Sequence, residues 1–124
     1  MNGKIHYTAA KTHFDIAKEF DTKYFAEKDE ETKIGLRTVA AQNYFYAAVN
    51  AIERMFAEKL EQHSFNHENR MRKLLENPTL FSKEIITLYE LVDRDLRNKV
   101  AYRGENGKKY EAVKKLATLL CGAL

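Results

Sequence analysis

Apolar residues recur every three or four positions through most of this chain, the period of helices that bury one face. A first helix is predicted from about Thr8 to about Ala26. Its apolar face holds Ala10, Phe14, Ala17 and Tyr24, with Ile16 and Phe20 beside them. The charged run EKDEETK makes a short exposed turn, and a second helix follows from about Thr32 to about Gln62. Its stretch AAQNYFYAAVNAIERMF carries Phe45, Val49, Ile52 and Phe56 in one stripe. Tyr44, Ala48 and Met55 widen that stripe, while Tyr46 and Ala47 lie well round the cylinder. A helix apolar over so much of its circumference is central to a bundle, part of a dimer interface, or both. Asn43, Ala47, Asn50 and Arg54 fall at i, i+4, i+7 and i+11, a polar-to-small strip along the same helix.

The segment HSFNHEN reads as a loop, and a short third helix ends near Asn77-Pro78. Ser82 has the character of an N-cap, with Phe81 and Ile86 at the two staple positions. The fourth helix then places Ile85, Leu88, Tyr89, Val92 and Leu96 on its core face. Gly104 and Gly107 mark its end, and a fifth helix runs from about Lys108 to Leu120. The prediction is one all-α domain over residues 1–124, an up-and-down bundle of four to five helices with no strand.

Charge and composition narrow the function. Lys and Arg number 21 against 18 Asp and Glu, a net charge of +3 with the signs interspersed, so no basic block marks a non-specific nucleic-acid binder. A smaller anion site built from a few arginines stays open. Cys121 is the single cysteine, which excludes an internal disulfide and a cysteine-rich zinc site; its run LATLLC places it as a buried small residue. The N-terminus lacks an apolar signal core and no 18-residue apolar run exists, which reads as a cytoplasmic protein without a membrane partner. No Glu-x-x-His pair supports a ferritin-like di-iron centre. GENGKKY lacks the full phosphate-loop pattern, and no serine-hydrolase elbow occurs. His63 and His67 stand at i,i+4, yet the residues between them read as a helix-capping loop, so no metal and no cofactor is expected.

The stretch RDLRNKVAYRGENG (94–107) carries the most chemistry. On a helical wheel Arg97 leaves the core stripe and shares a side with Ile86, Glu90 and Asp93, a second contact face. Asp93 lies four residues before Arg97, so a surface ion pair accounts for both; Arg97 and Lys99 also suit a helix C-terminus by charge.

Three pieces in order resemble a known family. YAAVNAIERMF (46–56) is similar to the Tyr-Ala-x-x-His-Ala motif on the second helix of HEPN-domain proteins, above all their small stand-alone prokaryotic group. SFNHENRMRKL places His67 where that group often has a histidine before its third helix. RNKVAYRG resembles the group's Arg-x-x-Ala-Asp-Tyr signature and, less fully, the Arg-Asn-x-x-x-His signature of HEPN ribonucleases. The resemblance spans roughly residues 36–120. It implies a helical bundle that forms a homodimer, with the arginine motifs facing a shared cleft. It also implies either RNA cleavage or nucleotide binding beside a small nucleotidyltransferase, often as a toxin–antitoxin pair. By position Arg97 is the motif arginine and Asn98 its polar neighbour.

Three positions depart from the pattern: Tyr102 replaces the ribonuclease histidine, Asn50 replaces the second-helix histidine, and Ala101 replaces the aspartate. Tyrosine, with an unperturbed pKa of about 10, is a poor proton carrier near neutrality, which leans the reading from catalysis toward binding. For binding, Arg97 forks onto phosphate, Asn98 hydrogen-bonds and Tyr102 stacks on a base, with Arg94, Asn50, Arg54, His67 and Arg70 as further candidates for the groove. The expected function is a nucleotide- or RNA-binding module. The alternatives are a weak metal-independent endoribonuclease using Arg97 with His67 or Tyr102, and a structural, antitoxin-like dimer without ligand.

Overall fold

A computed structural model describes residues 3–97 and 108–124, at 95–97 the backbone alone. The described residues form five helices and no strand: α1 (Gly3–Ala26), α2 (Glu30–Leu60), α3 (His67–Glu76), α4 (Lys83–Arg97) and α5 (Lys108–Cys121). The expected all-α bundle is what the chain forms. No described helix is long and apolar enough to cross a membrane.

Local chemistry explains the boundaries. α1 begins at Gly3, ahead of the predicted Thr8, and α2 begins at Glu30 because Asp29 is its cap. Asp29 Oδ2 accepts from the Thr32 backbone N–H at 3.0 Å and from Thr32 Oγ1 at 2.8 Å, which holds its carboxyl below the usual aspartate value. Glu30 and Glu31 follow in the first turn, where negative charge suits the helix dipole. α2 stops at Glu61, whose left-handed φ of 55° turns its N–H back to the Phe56 carbonyl. Asn66 caps α3 through the Asn69 N–H at 2.8 Å, and Asn69 Oδ1 returns the favour to the Phe65 N–H at 3.0 Å. Ser82 caps α4 as predicted, accepting from the Ile85 N–H at 3.2 Å.

Residues 27–29 connect α1 to α2, and the two helices form an antiparallel hairpin with the most extensive contact among the described residues. Ala10 and Ala17 of α1 and Ala40, Ala41, Ala47 and Ala48 of α2 are all fully buried. Small side chains let two backbones approach closely. α5 lies against α2, where Cys121 Sγ reaches the Ala47 carbonyl at 3.6 Å and Tyr110 meets Tyr44 with ring centroids 6.1 Å apart. Burial pushes the Cys121 thiol up to about 12, so it is inert packing, in line with its apolar run. Phe45, Ile52 and Phe56 of α2 join Tyr89 and Val92 of α4 in the core, so α2 is the central helix.

Candidate functional site

The polar strip on α2 meets α1. Asn43 Oδ1 pairs with His13 Nδ1 at 2.9 Å, and Asn50 Oδ1 pairs with His6 Nδ1 at 2.9 Å. Seven residues back on α1 match seven forward on α2, the register of an antiparallel hairpin. Each asparagine amide also donates to a carbonyl of its own helix, Asn43 to Val39 at 3.0 Å and Asn50 to Tyr46 at 2.9 Å. That donation fixes the amide orientation, so each Oδ1 is an acceptor and each histidine Nδ1 carries the proton. Arg54 lies on the same strip, its guanidinium 4.7 Å from the Tyr7 ring and its Nε 3.1 Å from Glu58 Oε1.

A second polar cluster runs from α2 through α3 to α4. Glu53 is 5% exposed, with Oε1 accepting from the Ser64 N–H at 2.9 Å and Oε2 from Arg70 Nε at 2.8 Å. Burial pushes the Glu53 carboxyl up, but these two donors outweigh it and hold the group below its ordinary value. Arg70 Nη1 donates to the Tyr89 hydroxyl at 3.1 Å, and that hydroxyl lies 3.5 Å from Asp93 Oδ1. Burial raises the Tyr89 phenol to about 12 against the opposing charge of Arg70, so it stays protonated near neutrality. Asp93 Oδ1 is 2.7 Å from His67 Nδ1. The contact is short, but the in-plane N–H direction misses the oxygen, so it is an ion pair on protonation and no aligned hydrogen bond.

His67 and Asp93 carry this chain of contacts to the surface. There a groove of about 450 Å³ opens between α3 and α4, lined by His67, Glu68, Met71, Arg72, Leu75, Glu90, Asp93 and Arg94. Met71 and Leu75 supply an apolar wall, while Arg72 and Arg94 offer guanidinium forks for an anion. Glu68, Glu90 and Asp93 outnumber those two cations, so a phosphate would be held only at the arginines and not along the whole groove.

The structure thus divides the candidate residues. His67 and Arg94 share the groove; Glu90 and Asp93, from the second contact face of α4, line it too. Asn50 and Arg54 belong to the α1–α2 seam, and Arg70 is committed to Glu53 and Tyr89. Arg97 is the last residue of α4; its side chain, with Asn98 and Tyr102, lies outside the described residues. His63 and His67 do not act together: His63 Nδ1 meets His6 Nε2 at 3.1 Å. Among the described residues no group of three or more histidine, cysteine or acidic side chains is placed to hold a metal ion.

His6 and His13 of the seam escaped the sequence reading, as did Glu53 and Arg72. Glu53 sits in AIERMF, where Arg54 is the only other polar residue, and a carboxylate in so apolar a stretch is the signal of a buried partner. Arg72 carries no such signal, since one arginine among RMRK looks like any solvated face. No model of a known protein family, no curated protein and no solved structure matches the chain.

Proposed function

We propose that this chain is a HEPN-like module that binds a nucleotide or an RNA end in the groove between α3 and α4. The observation that carries the reading is the meeting of His67 with Arg94 in that groove. His67 belongs to the second motif, and Arg94, 27 residues on, stands one helical turn before Arg97, the first residue of the third. The chemistry supports the ligand class: guanidiniums for phosphate, Met71 and Leu75 for the face of a base or sugar, and His67 for hydrogen bonding. The wider reading is a cytoplasmic homodimer that partners a small nucleotidyltransferase in a toxin–antitoxin-type pair.

Titration of ATP and of a short single-stranded RNA, with mass in solution measured alongside, tests this. The wild-type chain is expected to bind as a dimer, more tightly at low salt than at physiological salt. Arg94→Ala and Arg97→Ala should each weaken binding at least tenfold without changing the helical signal. Binding by neither ligand at low salt would overturn the proposal.

The His67–Asp93 contact favours one second reading, the ribonuclease. A carboxylate 2.7 Å from an imidazole in an arginine-bearing groove would offer a proton acceptor to a 2′-hydroxyl bound there. RNA cleavage that His67→Gln abolishes would select it over binding alone.

A further inference from the structure

The half-buried rings of His6 and His63 face each other across the ends of two elements: the first turns of α1 and the loop that follows α2. Their nearest nitrogens, His6 Nε2 and His63 Nδ1, are 3.1 Å apart. Two imidazole nitrogens bound to one Zn²⁺ or Ni²⁺ at about 2.0–2.1 Å stand roughly 2.9–3.4 Å apart, from square to tetrahedral bond angles. The ring centroids are 4.9 Å apart. A straight N–H···N bond of the observed length between two imidazoles would separate them by roughly 5.4 Å. The rings are therefore tilted off the line between the nitrogens. That tilt weakens a hydrogen bond, and two ligands of one ion also stand tilted off the line between their nitrogens.

The surroundings of His6 are those of a metal ligand. Its Nδ1–H is donated to Asn50 Oδ1 at 2.9 Å, and Asn50 is itself oriented by the Tyr46 carbonyl. This leaves Nε2 unprotonated on the side of His63, the arrangement in which an outer hydrogen bond fixes the tautomer of a coordinating histidine. His13 provides the contrast. It has the same asparagine partner geometry seven residues along, but its ring neighbour is Tyr46, with centroids 5.4 Å apart, and Tyr46 brings no lone pair suited to a transition metal.

We propose that His6 Nε2 and His63 Nδ1 form a two-histidine site for a borderline divalent transition ion of the Zn²⁺, Ni²⁺ or Cu²⁺ class. With no third histidine, cysteine or carboxylate among the described residues in range, water completes the coordination, and the ion exchanges readily. The bound ion ties α1 to the loop that leads, four residues on, into His67. Its effect is to stabilise that joint, independently of any nucleotide in the groove.

Calorimetric titration of Zn²⁺ and of Ni²⁺ into the tag-free full chain tests the site, with thermal unfolding recorded in parallel. One ion per chain is expected, together with a rise in Tm that grows with metal concentration. His6→Gln and His63→Gln should each lower the affinity at least tenfold and remove the rise in Tm. Asn50→Ala should weaken binding by about 10–100-fold, the usual effect of losing an outer partner. His13→Gln should bind as the wild type does. Circular dichroism confirms that the variants are folded; His63, in a loop, is the safer substitution. Absence of binding, or binding that persists in the His6→Gln/His63→Gln double variant, would overturn the site and leave the pair as a hydrogen bond only.

Discussion

Between α1 and α2 two histidines meet asparagine amides, His13 with Asn43 and His6 with Asn50, set in a seam of fully buried alanines. Between α3 and α4 they form a charged chain, Glu53 to Arg70 to Tyr89 to Asp93 to His67, that begins in the core and ends in an open groove. A neutral amide–imidazole pair is desolvated at small cost, so each rung of the hairpin stands alone. A buried carboxylate and guanidinium are desolvated at a cost of several kcal/mol each, so that network holds only while every member is in place. The hairpin is built for stability; the α3–α4 arm keeps charge poised at a surface.

Removing one charged member should break the comparison most sharply. Arg70→Ala leaves Glu53 buried without its main cation and is expected to cost about 3–5 kcal/mol in urea unfolding. The double variant Arg70→Met/Glu53→Leu should recover most of that loss, because the cost lies in the orphaned charge. Acid provides a gentler probe of the same network. The folded pKa of Glu53 lies below its ordinary value of 4.5. Its contribution is therefore present above about pH 4.5 and is lost as pH falls through the folded value. The urea midpoint of the wild type should fall more steeply between pH 6 and pH 3 than that of Glu53→Gln. The hairpin should respond least. Asn43→Ala removes one amide–imidazole rung and is expected to cost about 1 kcal/mol. A loss as large as that of Arg70→Ala would erase the distinction between the two regions.

Particular residues show what could be read in advance. Ser82 identified the start of α4 because a cap is a local device: the hydroxyl and the N–H that it accepts lie three residues apart. The strip Asn43, Ala47, Asn50 and Arg54 was visible as a strip, since it lies on one helix, but its partners were not. His13 is 30 residues from Asn43, and His6 is 44 from Asn50. His63 and His67 have i,i+4 spacing, but the residues between them read as a capping loop rather than a helix. The chain bends at Glu61 and sends the two rings to different partners, His6 and Asp93. Of the proposed binding residues, His67 and Arg94 converge in the groove and Asn50 faces α1.

The sequence by itself determined the helices, their caps and the apolar faces that make α2 central, because helical period and capping act over three or four residues. Only the tertiary structure decided which polar side chains meet: the two histidine–asparagine rungs, the chain from Glu53 to His67, and the facing rings of His6 and His63. Those contacts span 17 to 57 residues of chain in several of the pairs, as with Arg70–Glu53 and His6–His63. Their register is set by how alanines and aromatics pack between the helices, and no local pattern encodes it.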